Sequence, residues 1–147
     1  RSPTATRSRS ARRWRGDERD VRAAIVDAPI DVAALLAEVA SDAHGATALF
    51  VGTVRDVNDG RPVLGIEYTA YRAMAARELA AIVAEACARF GTDAVVAEHR
   101  LGTLALGEAS VAIAAGHPHR GPAFDAVRYV IEAIKVRVPV WKREHYA

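Results

Sequence analysis

The sequence predicts one α+β domain, and three observations predict it. Short runs rich in small and β-branched residues alternate with longer stretches that are apolar at helical spacing, in the order βαββαββα with a final extended piece. The 147 residues suit a single core. No run approaches the roughly 20 uninterrupted apolar residues that a membrane helix needs, so a soluble protein is expected.

Residues 21–27 read as the first strand. Asp31 stands where its carboxylate can cap a helix carrying Val32, Leu35, Leu36 and Val39. Residues 45–54, GATALFVGTV, have the character of a strand. Asn58-Asp59-Gly60 signals a turn, and residues 63–71 return as the second arm of a hairpin. A long amphipathic helix covers residues 74–90 and is stopped by Gly91. Residues 94–99 and 109–115 make two more strands, with Gly102 and Gly107 in the connection. Residues 123–135 make the second long helix, with Phe124, Val127, Ile131 and Ile134 along one face. Residues 136–141 contain Pro139 and read as an edge strand or extended tail.

Residues 1–20 stand apart. They hold seven arginines against three acids, which leaves 13 basic and 15 acidic groups in residues 21–147. A stretch rich in Arg, Ser and Thr without apolar periodicity predicts a disordered arm, with residues 21–147 as the folded domain. No apolar segment follows Arg12-Arg13, so no export signal is expected. Nucleic-acid binding would rest on the arm alone, because the domain is not a polycation. Cys87 is the single cysteine, so no internal disulfide can form, which fits a reducing, cytoplasmic setting. Its neighbours Leu79, Ile82, Val83 and Phe90 predict a buried thiol, not a reactive one.

The chemistry is expected towards the C-terminus. Of 20 basic residues 18 are arginine; the two lysines are Lys135 and Lys142. A lysine kept against such a bias is either chance or a residue whose proton is needed, since Arg is effectively never deprotonated. Four polar clusters fall where regular elements end: Thr53-Val54-Arg55-Asp56, His99-Arg100, His117-Pro118-His119-Arg120, and Lys135 with Lys142-Arg143-Glu144. His119 and Arg120 precede a helix, whose N-terminal N–H groups favour an anion, so together they can hold a phosphate or carboxylate. His99 reads either as part of a site or as a hydrogen-bonded packing residue. His117 and His119 lack a Cys or carboxylate at ligand spacing, so no metal is expected. Phosphate-binding glycine loops, GxSxG and HExxH are absent. Seven extended residues span roughly 23 Å, so Lys135 and Lys142 meet only if the chain bends near Pro139. Trp141 is placed to shield Lys142 from water, to stack on a flat substrate, or to anchor the core.

The run Phe50-Val51-Gly52-Thr53-Val54-Arg55-Asp56 resembles a signature of the catalytic (large) subunit of molybdopterin synthase. So do Ile66-Glu67-Tyr68, Met74-Ala75, His99-Arg100-Leu101-Gly102, His119-Arg120 with Ala123-Phe124, and Lys135 leading to Val138-Pro139-Val140-Trp141-Lys142-Arg143-Glu144. The last, K-x-x-x-P-x-W-K-x-E, is the most specific, and the match runs in consistent order over residues 21–144. The resemblance implies an α/β-hammerhead-like single domain with a mixed or antiparallel sheet and two to three packed helices. It implies a homodimer within a heterotetramer, each copy binding a small ubiquitin-like sulfur-carrier subunit. The carrier's C-terminal glycine thiocarboxylate would give its sulfur to cyclic pyranopterin monophosphate, and two transfers would build the dithiolene of molybdopterin. Lys135 and Lys142 would be the catalytic lysines. They would line the substrate site together with Thr53, Val54, Arg55, His119, Arg120, Arg143 and Glu144, with the site shared across the dimer. No resident cofactor or metal is implied. The alternative is a non-catalytic module that binds a ubiquitin-like partner or an anionic metabolite.

Overall fold

The computed structural model describes residues 22–147. The predicted arm at residues 1–20, and Val21 with it, lies outside the described residues. Within them the order is β1 (Ala23–Val26), α1 (Val32–Val39), β2 (Ala46–Thr53), β3 (Val57–Asn58), β4 (Arg61–Ala70), α2 (Arg72–Phe90), β5 (Val95–Arg100), β6 (Gly102–Ala105), β7 (Ala109–His117), α3 (Arg120–Arg137) and β8 (Val140–Tyr146). The α+β class is as predicted. Two helix ends follow from local chemistry: Asp31 Oδ1 accepts from the Ala34 N–H at 3.1 Å, and Gly91 closes α2 at φ +69°.

The larger sheet has the order β1-β5-β7-β2. β1 runs parallel to β5, and β7 is antiparallel to both β5 and β2. Helices cover both of its faces, so β7 is buried along nearly its whole length. On one face Leu79, Ile82 and Val83 of α2 and Ala126, Val130 and Ile134 of α3 meet Val95, Ala97, Val111, Ile113 and Ala115. On the other, Leu35 and Val39 of α1 meet Val96, Ala112 and Ala114. The split of odd and even residues is the pleat of a strand. β4 is the spine of the smaller sheet, flanked by β6 and β8, with β3 hairpinned to its start. That sheet has its own core of Val54, Val63, Ile66 and Leu104.

Five expectations change. The turn at Asp59-Gly60, both at positive φ, joins the two-residue β3 to β4; β2 pairs with β7 in the other sheet. β6 is an added strand, too short for its one buried residue, Leu104, to show a pattern. α3 begins three residues earlier than predicted, because Pro122 falls in the first turn, where no intrahelical donor is required. Phe124 is exposed, and the inner face of α3 is Ala123, Ala126, Val127, Val130 and Ile134. Residues 136 and 137, expected in the edge strand, close α3 instead, and the edge strand runs from Val140 to Tyr146.

Arg137 fastens α3 to α2. Its Nε donates to Glu78 at 2.8 Å, and Nη1 and Nη2 grip Glu85 at 2.6 and 2.9 Å, while the Tyr129 hydroxyl also donates to Glu85 at 2.7 Å. These bonds, Arg137 first and Tyr129 second, hold the Glu85 carboxyl down at about 2. The folded value lies below the unfolded one, so the stabilisation is complete above about pH 4.5 and is lost as pH falls towards 2. The pair is partly solvated, which limits its worth to about 1 kcal/mol. Arg137→Ala is therefore expected to lower thermal stability at pH 7 by that amount and to flatten its decline between pH 5 and 3, as followed by circular dichroism.

Candidate active site

Lys135 and Lys142 meet because α3 ends where it does. The helix stops at Arg137, Val138 and Pro139 turn the chain, and Val140 starts β8 back along β4. Lys135 follows the buried Ile134 and stands one turn beyond Ile131. In β8, Lys142 lies opposite Tyr68 and Glu144 opposite Ile66. The pleat sends those two side chains one way, while Trp141 and Arg143, opposite Thr69 and Glu67, go the other way.

The result is a recess of two adjoining halves, each of about 220 Å3. Tyr68, Ser110, Val111, Ile131, Lys135 and Lys142 line both. The first half adds Thr53, Arg55, Asn58 and Glu144, and the second adds His99 and Val138. Lys142 Nζ lies 3.4 Å from Glu144 Oε2, whereas Lys135 has no ion pair among the described residues. Both lysines are solvent-exposed in the free chain. Any drying of their surroundings must come from what enters the recess.

Thr53 and Arg55 reach the recess through a bulge. The register of β2 on β7 slips between Gly52 and Thr53. Gly52 has no room for a side chain, since a Cβ would lie 2.8 Å from Val111 Cγ1. Its carbonyl accepts from the Ser110 hydroxyl at 3.2 Å. Val54 then turns into the small core, its N–H bonded to the Glu108 carbonyl at 3.0 Å and its carbonyl to the Gly107 N–H at 2.7 Å.

The sequence-predicted residues thus divide. Lys135, Lys142, Thr53, Arg55 and Glu144 share the recess. Val54 does not line it, being 3% exposed and part of the packing that supports Arg55. Arg143 faces away, paired with Glu67 at 3.4 Å. Trp141 is exposed on that outer side, its ring edge-on to Tyr71 at 5.6 Å between centroids. His119 and Arg120 are exposed at the start of α3, where the His119 N–H donates to His117 Nδ1 at 2.9 Å. Fifteen helical residues separate Arg120 from Lys135, about 22 Å along the axis. Within one chain they cannot serve one small ligand.

His99 emerges instead, at the end of β5 and 7% exposed. Its Nδ1 lies 3.0 Å from the Arg100 carbonyl, and its ring packs edge-on to Tyr68 at 5.3 Å. Burial, the largest influence, pushes the imidazole below its ordinary value; the bond to Arg100 opposes this, and the charge of Lys135 adds to it. The sequence left His99 open between a site residue and a hydrogen-bonded packing residue at a strand end. Ser110 carried no signal, since one serine in a run of alanines and valines reads as strand. Cys87 is half-buried with its thiol pushed up by burial, as an inert cysteine should be. No group of metal-binding side chains occurs among the described residues. No helix among them is long and apolar enough to cross a membrane.

The profile of the MoaE protein family matches residues 25–137. Molybdopterin synthase catalytic subunits are similar: that of Emericella nidulans is 46% identical over 76% of this chain and 57% of its own length. That of Oryza sativa subsp. indica is 48% identical over 80% of this chain and 61% of its own length. The chain thus spans about three-fifths of these relatives. The crystal structure of molybdopterin synthase from Staphylococcus aureus superposes with a TM-score of 0.81 at 34% identity, covering 86% of this chain and 92% of that one. With the profile spanning most of the chain and a like-sized fold behind it, the chain belongs to the MoaE protein family.

Proposed function

We propose that this chain is the catalytic subunit of a molybdopterin synthase. It takes sulfur from the C-terminal glycine thiocarboxylate of a small ubiquitin-like carrier and passes it to cyclic pyranopterin monophosphate, in two transfers that build the dithiolene. The observation that carries this reading is the shared recess, with Lys135 and Lys142 beside Arg55 and Lys135 unpaired among the described residues. Both proposed reactants are anionic, and two lysines and an arginine against one carboxylate leave a positive surplus for them. Sulfur arrives on the partner, so the chain itself needs no reactive thiol, and its one cysteine is not one. Thr53, Arg55 and Glu144 complete the wall.

His119 and Arg120 take their part in a homodimer, in which the start of one copy's α3 reaches the recess of the other. With one carrier per copy the assembly is a heterotetramer. We place it in the cytoplasm, where a lone cysteine stays reduced.

Mixing the protein with thiocarboxylated carrier and cyclic pyranopterin monophosphate is expected to yield a dithiolene product, read by mass spectrometry. Binding of both reactants with no product would leave a docking module in place of an enzyme.

A further inference from the structure

Sulfur transfer requires an oxygen to leave carbon, and a departing oxygen needs a proton. Imidazole is the lining group whose unperturbed proton exchange falls in the physiological range. The second half of the recess holds one, His99, with Lys135 and Lys142 on its other walls. Nδ1 is engaged by the Arg100 carbonyl, which fixes the ring and leaves Nε2 as the nitrogen available to an occupant.

We propose that His99 is the general acid of this recess, its Nε2 delivering a proton to the oxygen expelled as sulfur arrives. The proposal rests on the sulfur-transfer reading above. As the thiocarboxylate sulfur bonds to the pterin carbon, the carbon–hydroxyl bond breaks. The carrier, joined for that moment as a thioester, is freed as its carboxylate when water cleaves the acyl–sulfur bond and leaves the sulfur on the pterin. The hydroxyl leaves as water with the imidazolium proton, and neutral His99 is reloaded from solvent.

The surroundings supply the timing. α3 presents Lys135 to His99, β8 presents Lys142, and β4 presents the Tyr68 ring. β7 offers Val111 and Ser110, and β1 pairs through Ile25, none of them charged. Glu144, the carboxylate of the recess, is turned to Lys142. On its own element His99 is followed by Arg100, which is paired with Glu108 at 3.4 Å, and preceded by Glu98, which the pleat sends to the opposite face. In the free chain burial first, and the nearby Lys135 cation second, push the imidazole below its ordinary value. An anion lodged beside Lys135 offsets that cation, so the occupant itself recruits the proton the reaction consumes.

Two measurements test this. The first follows the His99 ring proton by NMR titration in the free protein, in Lys135→Met, and with a short peptide ending in a glycine carboxylate. The midpoint is expected to rise in both the variant and the peptide-bound protein; one unmoved by Lys135→Met overturns the proposal. The second is the pH–rate profile of His99→Gln, whose amide keeps a polar group in the recess. A loss of about 100-fold in kcat is expected, with KM for the pterin little changed and the fall in rate at alkaline pH abolished. A slower enzyme with its alkaline fall intact would make His99 a packing residue. If the wild-type protein transfers no sulfur, the functional reading fails, while the titration still decides whether occupant, Lys135 and His99 are coupled.

Discussion

Lys135→Ala is expected to lower sulfur transfer by about 100-fold or more while carrier binding stays within a few fold of wild type. The side chain leaves the last turn of α3 directly into the recess and has no ion pair among the described residues, so its removal strands no buried partner. The fold should be indifferent, since Lys135 is exposed and its neighbour Ile134 does the packing. Lys135→Arg is the sharper experiment. Arginine keeps the charge but gives up an amine that can attack or exchange a proton. It is expected to be nearly as poor as alanine in single-turnover assays with loaded carrier. Wild-type rates for Lys135→Arg would reduce the lysine to a fixed charge and leave the proton chemistry to His99.

Leu104→Ala is expected to destabilise the protein by about 3 kcal/mol and to damage the recess along with it. Leu104 is fully buried in a core of only four residues, with Val54, Val63 and Ile66. Few neighbours can shift to fill the space. The loss falls where it matters: Val54 anchors the segment that aims Thr53 and Arg55, and Ile66 lies opposite Glu144. Denaturant unfolding would measure the stability. Turnover measured well below the midpoint should also fall, because the small sheet carries Tyr68, Lys142 and Glu144. A full-rate enzyme with an unchanged midpoint would contradict this account of the second core.

Which parts were legible in the sequence follows from how local their causes are. Asp31 capping α1 and Gly91 ending α2 are decided within a few residues, and both lie where expected. Lys135 and Lys142 stood out by type, and the bend at Pro139 that joins them could be stated as a condition. Pairing was not legible. The turn at Asp59-Gly60 is a real hairpin, yet nothing local says that β2 leaves it to join β7, more than fifty residues on. Phe124 shows periodicity failing in an alanine-rich helix, where small residues take the packed face and a large one is left outside. Val54 and Arg143 were placed with the site by motif alone, and one-residue alternation turns both away from the recess. His99 stayed ambiguous because its meaning lies in sharing a recess with Lys135, a placement of β5 and α3 side by side that no spacing reveals.

The direction of α3 has one more consequence. Lys135 and Arg137 occupy its last turn, the end of a helix that carries partial negative charge. An anion at Lys135 is thus held by side chains against the field of the backbone, a contest that favours ready exchange. His119 and Arg120 stand at the opposite pole, where the same field adds to their pull. One helix therefore offers a loose berth at one end and a firm one at the other. Under the proposed reaction, that polarity would suit a carrier tail that comes and goes twice while a phosphate-bearing intermediate stays moored.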